Sequence, residues 1–281
     1  MNIKILSDST CDLTAELLAK HNIDLARLTV VKDGTGYRDG TDITPADIFA
    51  HVAAGGDLCS TTAYNISEYE ELFSKYAGEY DGVIHINIGS GFSSCYQNAC
   101  IAAGEFNNVY VVDSRNLSTG QGHVVLEACR LAQTEADPKV LCEKLAEFAG
   151  RVDASFLLDR LDYMVKGGRC SMVKALGANL LRLKPCIEVV DNKMVIGKKY
   201  RGSYQKSIET YVRDRLGETE NLQKHEIFIT HTKVEEGIVD TVRNAVNECC
   251  DFAHIYETVA GGTITCHCGE STLGILYVRK G

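Results

Sequence analysis

Short runs of β-branched residues alternate with segments of helical periodicity through the first half of the chain, and this most constrains its fold. Ile3–Leu6, Leu25–Val31, Gly82–Ile88 and Val109–Val112 read as strands. Between them Thr14–Leu18, Pro45–Ala54, Ser67–Tyr76 and Ser93–Gly104 carry helical spacing, with Tyr69, Leu72, Phe73 and Tyr76 on one face. Asp12 or Thr14 is expected to cap the first helix, and Pro45 follows Thr44 at a first helical position. Two longer helices follow, near Gly120–Gln133 and Pro138–Arg151. Strands separated by helices imply right-handed crossovers and a mainly parallel sheet.

The second half changes character. Ser155–Leu158, Ile227–Thr230 and Ala253–Thr258 read as strands, and Cys186–Val190 with Met194–Lys199 as a hairpin turning at Asp191-Asn192-Lys193. Helices are expected at Asp159–Val165, Ser203–Leu216 and Val234–Cys249, and two closing strands around Gly269–Leu273. The expectation is an α/β protein of two closely packed domains, 1–152 with a mainly parallel sheet and 153–281 with a mixed one.

The net charge of −9, with no Lys/Arg run longer than a pair, argues against nucleic acid as the main partner. No stretch of about 18 apolar residues offers a membrane span. Twelve cysteines in 281 residues are too sparse for a disulfide scaffold. The opening Met1–Leu6 runs into Ser7-Asp8-Ser9 without the apolar core of a leader, so free thiols in the cytoplasm are expected. An acidic surface without an apolar stripe favours a monomer.

One segment stands out: Gly82–Gly104 is 23 residues without a formal charge, in a chain one-quarter charged. It reads as a strand, loop and helix that are buried or line a pocket. Its loop, Gly89-Ser90-Gly91-Phe92-Ser93-Ser94, is one of three polar uncharged segments; the others are Cys59-Ser60-Thr61-Thr62 and Gly261–Gly269 with His267. Hydroxyls and N–H groups at a helix start favour an anion. Each loop alone is explained by helix capping, but three such loops, one with a histidine, point to a shared anion site.

Other readings carry less. Cys266-His267-Cys268 lacks the paired spacing of a structural zinc site, and in a strand His267 would face away from both thiols. Gly89-x-Gly91-x-x-Ser94 with Asp113 imitates a dinucleotide fingerprint without its third glycine. Neither Ser90 nor Ser93 has nucleophile-elbow spacing. Asp8 ends the first strand, where open α/β sheets place ligands, but a closing βα turn explains it equally. Arg169, after Lys166-Gly167-Gly168, and Arg201 are cations able to reach a carboxylate or partner, or simply to be solvated.

Taken together, these motifs resemble the DegV family. Ser7-Asp8-Ser9-Thr10, Thr61-Thr62, Ser90-Gly91-Phe92-Ser93 with Tyr96-Gln97, Val112-Asp113-Ser114, Lys166-Gly167-Gly168-Arg169, Lys184-Pro185, His267-Cys268-Gly269 and Thr272-Leu273-Gly274 stand in family order along nearly the whole chain. The resemblance implies a protein that buries one long-chain fatty acid between its domains. It further implies presentation of the carboxylate to an ATP-dependent fatty-acid kinase subunit, with no cofactor, metal or catalysis of its own. Thr61, Ser93 and His267 match the family's carboxylate contacts, with Thr62, Ser90, Gly91, Ser94 and Arg169 around them and Arg201 on the kinase-facing surface. Ala63-Tyr64 and Ser94-Cys95 depart from the family pattern beside the carboxylate.

The physics suits such a ligand. Fourteen methylenes at roughly 0.8 kcal/mol each give on the order of 11 kcal/mol gross, before binding entropy. The buried carboxylate would need hydroxyls, a helix terminus and an imidazolium. Phe92, Ile101, Leu157, Leu158 and Leu176 are expected to wall the tunnel. An ATP-binding phosphate loop is absent from the sequence. Two alternatives stay open: an enzyme using Asp8, Ser93 and His267 on a small carboxylate or ester, and a carrier or sensor of another anionic lipid.

Overall fold

A computed structural model describes residues 2–170 and 183–281, which form three sheets. The first is wholly parallel, in the order β2 (Asp24–Ala26), β1 (Ile3–Asp8), β6 (Gly82–Asn87), β7 (Val109–Asp113). Strand periodicity sends alternate side chains to opposite faces. Leu6 and Val83 pack with Tyr69 and Phe73 of α3 (Ile66–Ala77) and Ala99 of α4 (Cys95–Ala103). Ile5, Ile84 and Ile86 pack with α1 (Ala15–Lys20), α5 (Thr119–Leu131) and α6 (Pro138–Ala149). Tyr69 and Phe73 are fully buried; truncating such an aromatic typically costs about 3–5 kcal/mol.

The second sheet is mixed, in the order β10 (Lys193–Arg201), β9 (Leu183–Val190), β8 (Val152–Leu158), β13 (Thr272–Arg279), β11 (Leu222–His231), β12 (His254–Val259). Only β11 and β12 pair in parallel. Its outer face packs on α8 (Tyr204–Arg215) and α9 (Ile238–Cys249) through Tyr211, Val212, Val242 and Val246. Phe156, Leu158 and Ile187 join one core with Leu6 and Tyr69 of the first sheet, while Ala154, Phe228 and Leu276 join the other core around α5. The α/β class with a parallel and a mixed sheet matches the sequence expectation.

Three local expectations are corrected. Leu25–Val31 is not one strand: β2 stays in the parallel sheet, and β3 (Thr29–Lys32) leaves it to pair with β4 (Thr35–Arg38) and β5 (Ser60–Thr62) in a small antiparallel sheet. Thr61 and Thr62 therefore sit on a strand rather than a loop. The Gly261–Gly269 segment is helical, α10 (Gly262–Cys268), and a single strand, β13, closes the chain. His267 and its flanking cysteines thus point in three directions around a helix, instead of alternating across a strand.

Capping explains several boundaries. Thr44 and Asp47 form a capping box at α2 (Pro45–Ala53), as do Asn65 and Glu68 at α3. Thr14 caps α1, accepting from the Leu17 N–H. Asp12 does not: it sits in the left-handed region at φ 50° and turns its carboxylate toward α10.

Candidate functional site

A cavity lined from β5, the loop after β6, β10 and α10 holds about 650 Å³ of atom-free space, part of it open to solvent. Thr61 and Thr62 reach it from β5, Ser93 and Ser94 from the turn into α4, and His267 from α10. Arg169 enters after α7 (Asp162–Gly167). Thr61 Oγ1 and His267 Nε2 lie 2.9 Å apart, though 206 residues separate them in the chain.

Burial, and after it the Arg169 charge, pulls the His267 pKa down to about 4. The ring by itself is neutral at pH 7. His267 Nδ1 has no hydrogen-bond partner; a buried N–H without one costs more than a bare lone pair, so the proton belongs on Nε2. Nε2–H then donates to Thr61 Oγ1, and the Thr61 hydroxyl proton is left for a ligand. A methyl on Gly167 would lie 2.3 Å from His267 Nδ1, so the glycine of the Lys166-Gly167-Gly168-Arg169 turn leaves room for this ring.

Ser93 is equally ready. Its Oγ accepts from the Cys95 N–H at 3.2 Å and donates to Cys95 Sγ at 3.1 Å. Thiol sulfur is a weak acceptor, so a carboxylate would draw that proton away. Burial, then the nearby Asp8 charge, pushes the Cys95 thiol up to about 12, keeping it protonated.

The helix carrying His267 is held by two acids from the start of the chain. Asp39 accepts from the Gly262 and Thr263 N–H groups at 2.8 and 3.0 Å, and Asp12 from the Gly261 N–H at 2.9 Å. The Asp39 carboxylate satisfies orphan donors at this helix start and lies at the positive end of its dipole. Burial pushes the Asp12 pKa up to about 8, despite hydrogen bonds from Ser118 and Gly261, with the Asp39 charge adding to the rise.

Asp8 lies outside the cavity. It is fully buried and accepts from Tyr69 Oη at 2.6 Å, His85 Nε2 at 3.0 Å, Asn87 Nδ2 at 3.0 Å and the Ile88 N–H at 2.9 Å. Every partner is internal, so Asp8 fixes the end of β6 from which the Gly89–Ser94 loop departs.

Ser90 and Gly91 also fall outside the lining. Ser90 Oγ donates to Asp113 at 2.6 Å and accepts from Asn192 Nδ2 at 2.7 Å, and the Gly91 N–H donates to Asn192 Oδ1 at 3.2 Å. Their partner is the turn of the β9–β10 hairpin, whose Met194 lines the cavity. Arg201 lies at the exposed end of β10, away from the lining. Lys166 donates to the Leu58 carbonyl at 2.9 Å.

A second, more apolar lobe of about 380 Å³ shares Leu117, Ile264 and Cys268 with the first. Ala154, Phe156, Gly274 and Leu276 wall it. Its threonines have spent their hydroxyls: Thr230 bonds to Thr119 and Thr258, Thr232 to the Thr272 carbonyl, and Thr272 to the Cys268 carbonyl.

Of the expected tunnel walls, Phe92 lines the first lobe. Ile101 is 51% exposed on α4, Leu157 faces the outer core of the second sheet, and Leu158 is in the inter-sheet core without lining either lobe. Leu176 is outside the described residues. Sequence reasoning missed Leu117, Met194, Thr263 and Ile264 in the lining, and Asp39 beneath α10. The Gly261-Gly262 start of α10, which has no side-chain cap of its own, was the available sign that acids from elsewhere would be needed.

Among the described residues no helix is long and apolar enough to cross a membrane, and no group of three His, Cys, Asp or Glu is placed to hold a metal.

Residues 2–280 match the model of a family described as uncharacterised proteins of the DegV family. The chain is 30% identical over 280 residues to a DegV domain-containing protein of Clostridium acetobutylicum, covering 99% of each. Its fold is similar to that of a fatty-acid-binding DegV family protein from Thermus thermophilus, at 25% identity and TM-score 0.90 over the whole of both chains. It is also similar to DegV, a fatty acid binding protein from Bacillus subtilis, at 26% identity and TM-score 0.86, again over both whole chains.

Proposed function

The chain belongs to the DegV family, and from that premise we propose that it binds a single long-chain fatty acid. Domains 1–152 and 153–281 close on the ligand. The carboxylate lies at Thr61, Ser93 and His267, with Thr62, Ser94 and Arg169 beside it, and the tail runs into the apolar lobe. One observation carries the reading: a polar end with unspent hydroxyl protons shares a wall with a lobe whose own hydroxyls are all consumed. Fatty-acid binding by the Thermus and Bacillus relatives supports it.

In this reading the chain performs no chemistry. Asp8 is committed to four internal donors, and Ser93 hydrogen-bonds to the Cys95 thiol, which stays protonated, while His267 Nε2 is engaged by Thr61. Chemistry at the carboxylate falls to an ATP-dependent fatty-acid kinase subunit in the cytoplasm, with Arg201 on the docking face. Buried free thiols at Cys11, Cys129, Cys186 and Cys268 accord with a reducing compartment.

Solvent extraction of purified protein followed by mass spectrometry is the direct test. A stoichiometric fatty acid is expected; an empty extract from protein that also takes up no added palmitic acid would overturn the reading. In the variants, Thr61→Val or Ser93→Ala should weaken uptake about tenfold with the fold intact.

A further inference from the structure

Thr263 is the exception among the threonines of this site. Its residue is 3% exposed, it lines the polar lobe, and its Oγ1 has no hydrogen-bond partner. Apart from Thr62, which is exposed, the threonines around it are paired: Thr265 donates to the Ala260 carbonyl, Thr230, Thr232 and Thr272 are bonded as described, and Thr61 meets His267. Among the described residues the one other buried hydroxyl without a partner is that of Ser207, on α8 and outside both lobes. A buried hydroxyl is normally hydrogen-bonded, and an unmade bond costs about 1–3 kcal/mol.

Position says what should fill it. Thr263 and His267 are four residues apart on α10, hence neighbours on one face, about 5–6 Å apart at Cβ. Both line the lobe that Thr61 and Ser93 also reach. A carboxylate has two oxygens and about four acceptor positions, more than Thr61 and Ser93 can use. The backbone N–H of Thr263 is already spent on Asp39, so the side chain alone is on offer.

We propose that the Thr263 hydroxyl donates to the bound carboxylate as a further specificity-determining contact, a role that rests on the fatty-acid reading above. Thr263 then selects for the acid over neutral lipids of the same tail, and fixes which oxygen faces away from α10.

The test compares wild type, Thr263→Val and Thr263→Ser, with [1-13C]palmitic acid as the probe. Valine keeps the branched shape and the N–H to Asp39; serine keeps the hydroxyl. Thr263→Val is expected to weaken palmitate binding about tenfold, to move the carboxyl carbon resonance and to raise the pH at which the bound carboxyl titrates. Thr263→Ser should restore both the affinity and the resonance. Wild-type affinity and an unmoved resonance in Thr263→Val would overturn the proposal. So would an affinity loss with the resonance unmoved, which would mark a packing role. If wild type itself takes up no palmitate, the fatty-acid reading fails first and this contact with it.

Discussion

Asn192 is seated so closely on Gly91 that a methyl group there would lie 1.8 Å from the Asn192 carbonyl oxygen. The hairpin turn of the second sheet is thereby docked on the uncharged loop of the first, beside the mouth of the cavity that Met194 lines.

Gly91→Ala should therefore undock the hairpin. Overpacking of this kind costs about 1–3 kcal/mol, visible as a fall of several degrees in the melting midpoint. Exchange of a bound fatty acid, followed by transfer to vesicles, should accelerate at the same time. Unchanged midpoint and unchanged exchange would mean that the docking holds nothing in place.

The neutral His267 sets the pH behaviour of ligand uptake. Its pKa of about 4 in the unliganded protein leaves no imidazolium to gain between pH 6 and 8.5. Affinity for a carboxylate should stay within about twofold across that range. A tenfold rise on going from pH 8 to pH 6 would instead identify His267 as a cationic contact.

Asp12 governs stability over an overlapping window. Its pKa rises from 3.8 to about 8 on folding, so between those values the folded protein binds the proton that the unfolded chain has released. Stability should accordingly fall as pH rises from about 4 to 8, and level off above. Asp12→Asn, tolerant of the same left-handed backbone, should flatten this slope and melt above wild type at pH 8.5. Parallel pH–stability curves for the two proteins would refute the assignment.

Asp8→Ala would strand Tyr69 Oη, His85 Nε2, Asn87 Nδ2 and the Ile88 N–H in a fully buried site. A loss of about 3 kcal/mol or more is expected in urea unfolding. If stability hardly changes while binding is abolished, Asp8 touches the ligand directly and its structural role here is wrong.

The parallel half of the fold was legible because its signals are local. Ile84 and Val83 alternate faces, α3 shows an apolar stripe, and Thr14 and Pro45 announce helix starts. The convergence of Thr61, Ser93 and His267 was legible in outline as a shared anion site of three polar uncharged segments, and the family pattern singled out these residues, since no local rule brings residues 61 and 267 together. What misled was short and ambiguous. Thr263-Ile264-Thr265-Cys266 has the β-branched content of a strand, and tertiary support from Asp12 and Asp39 makes it a helix. Leu25–Val31 reads as one strand because nothing local marks where β3 departs from the parallel sheet. Ser90 and Gly91, expected among the ligand contacts, lie outside the lining, on a loop whose partner, Asn192, is 101 residues away from Gly91.

The clamp of Asp12 and Asp39 on α10 has a consequence for the protein's synthesis. The helix they hold follows these acids in the chain by 223 residues or more. β13, which follows it, lies in the interior of the second sheet between β8 and β11. A nascent chain halted before residue 262 would thus carry two uncompensated acids beneath an unformed site, and a sheet lacking an inner strand. Such a product would be recognisable to quality-control proteases as unfinished, and the candidate site would be assembled only once residues 262–279 had been made.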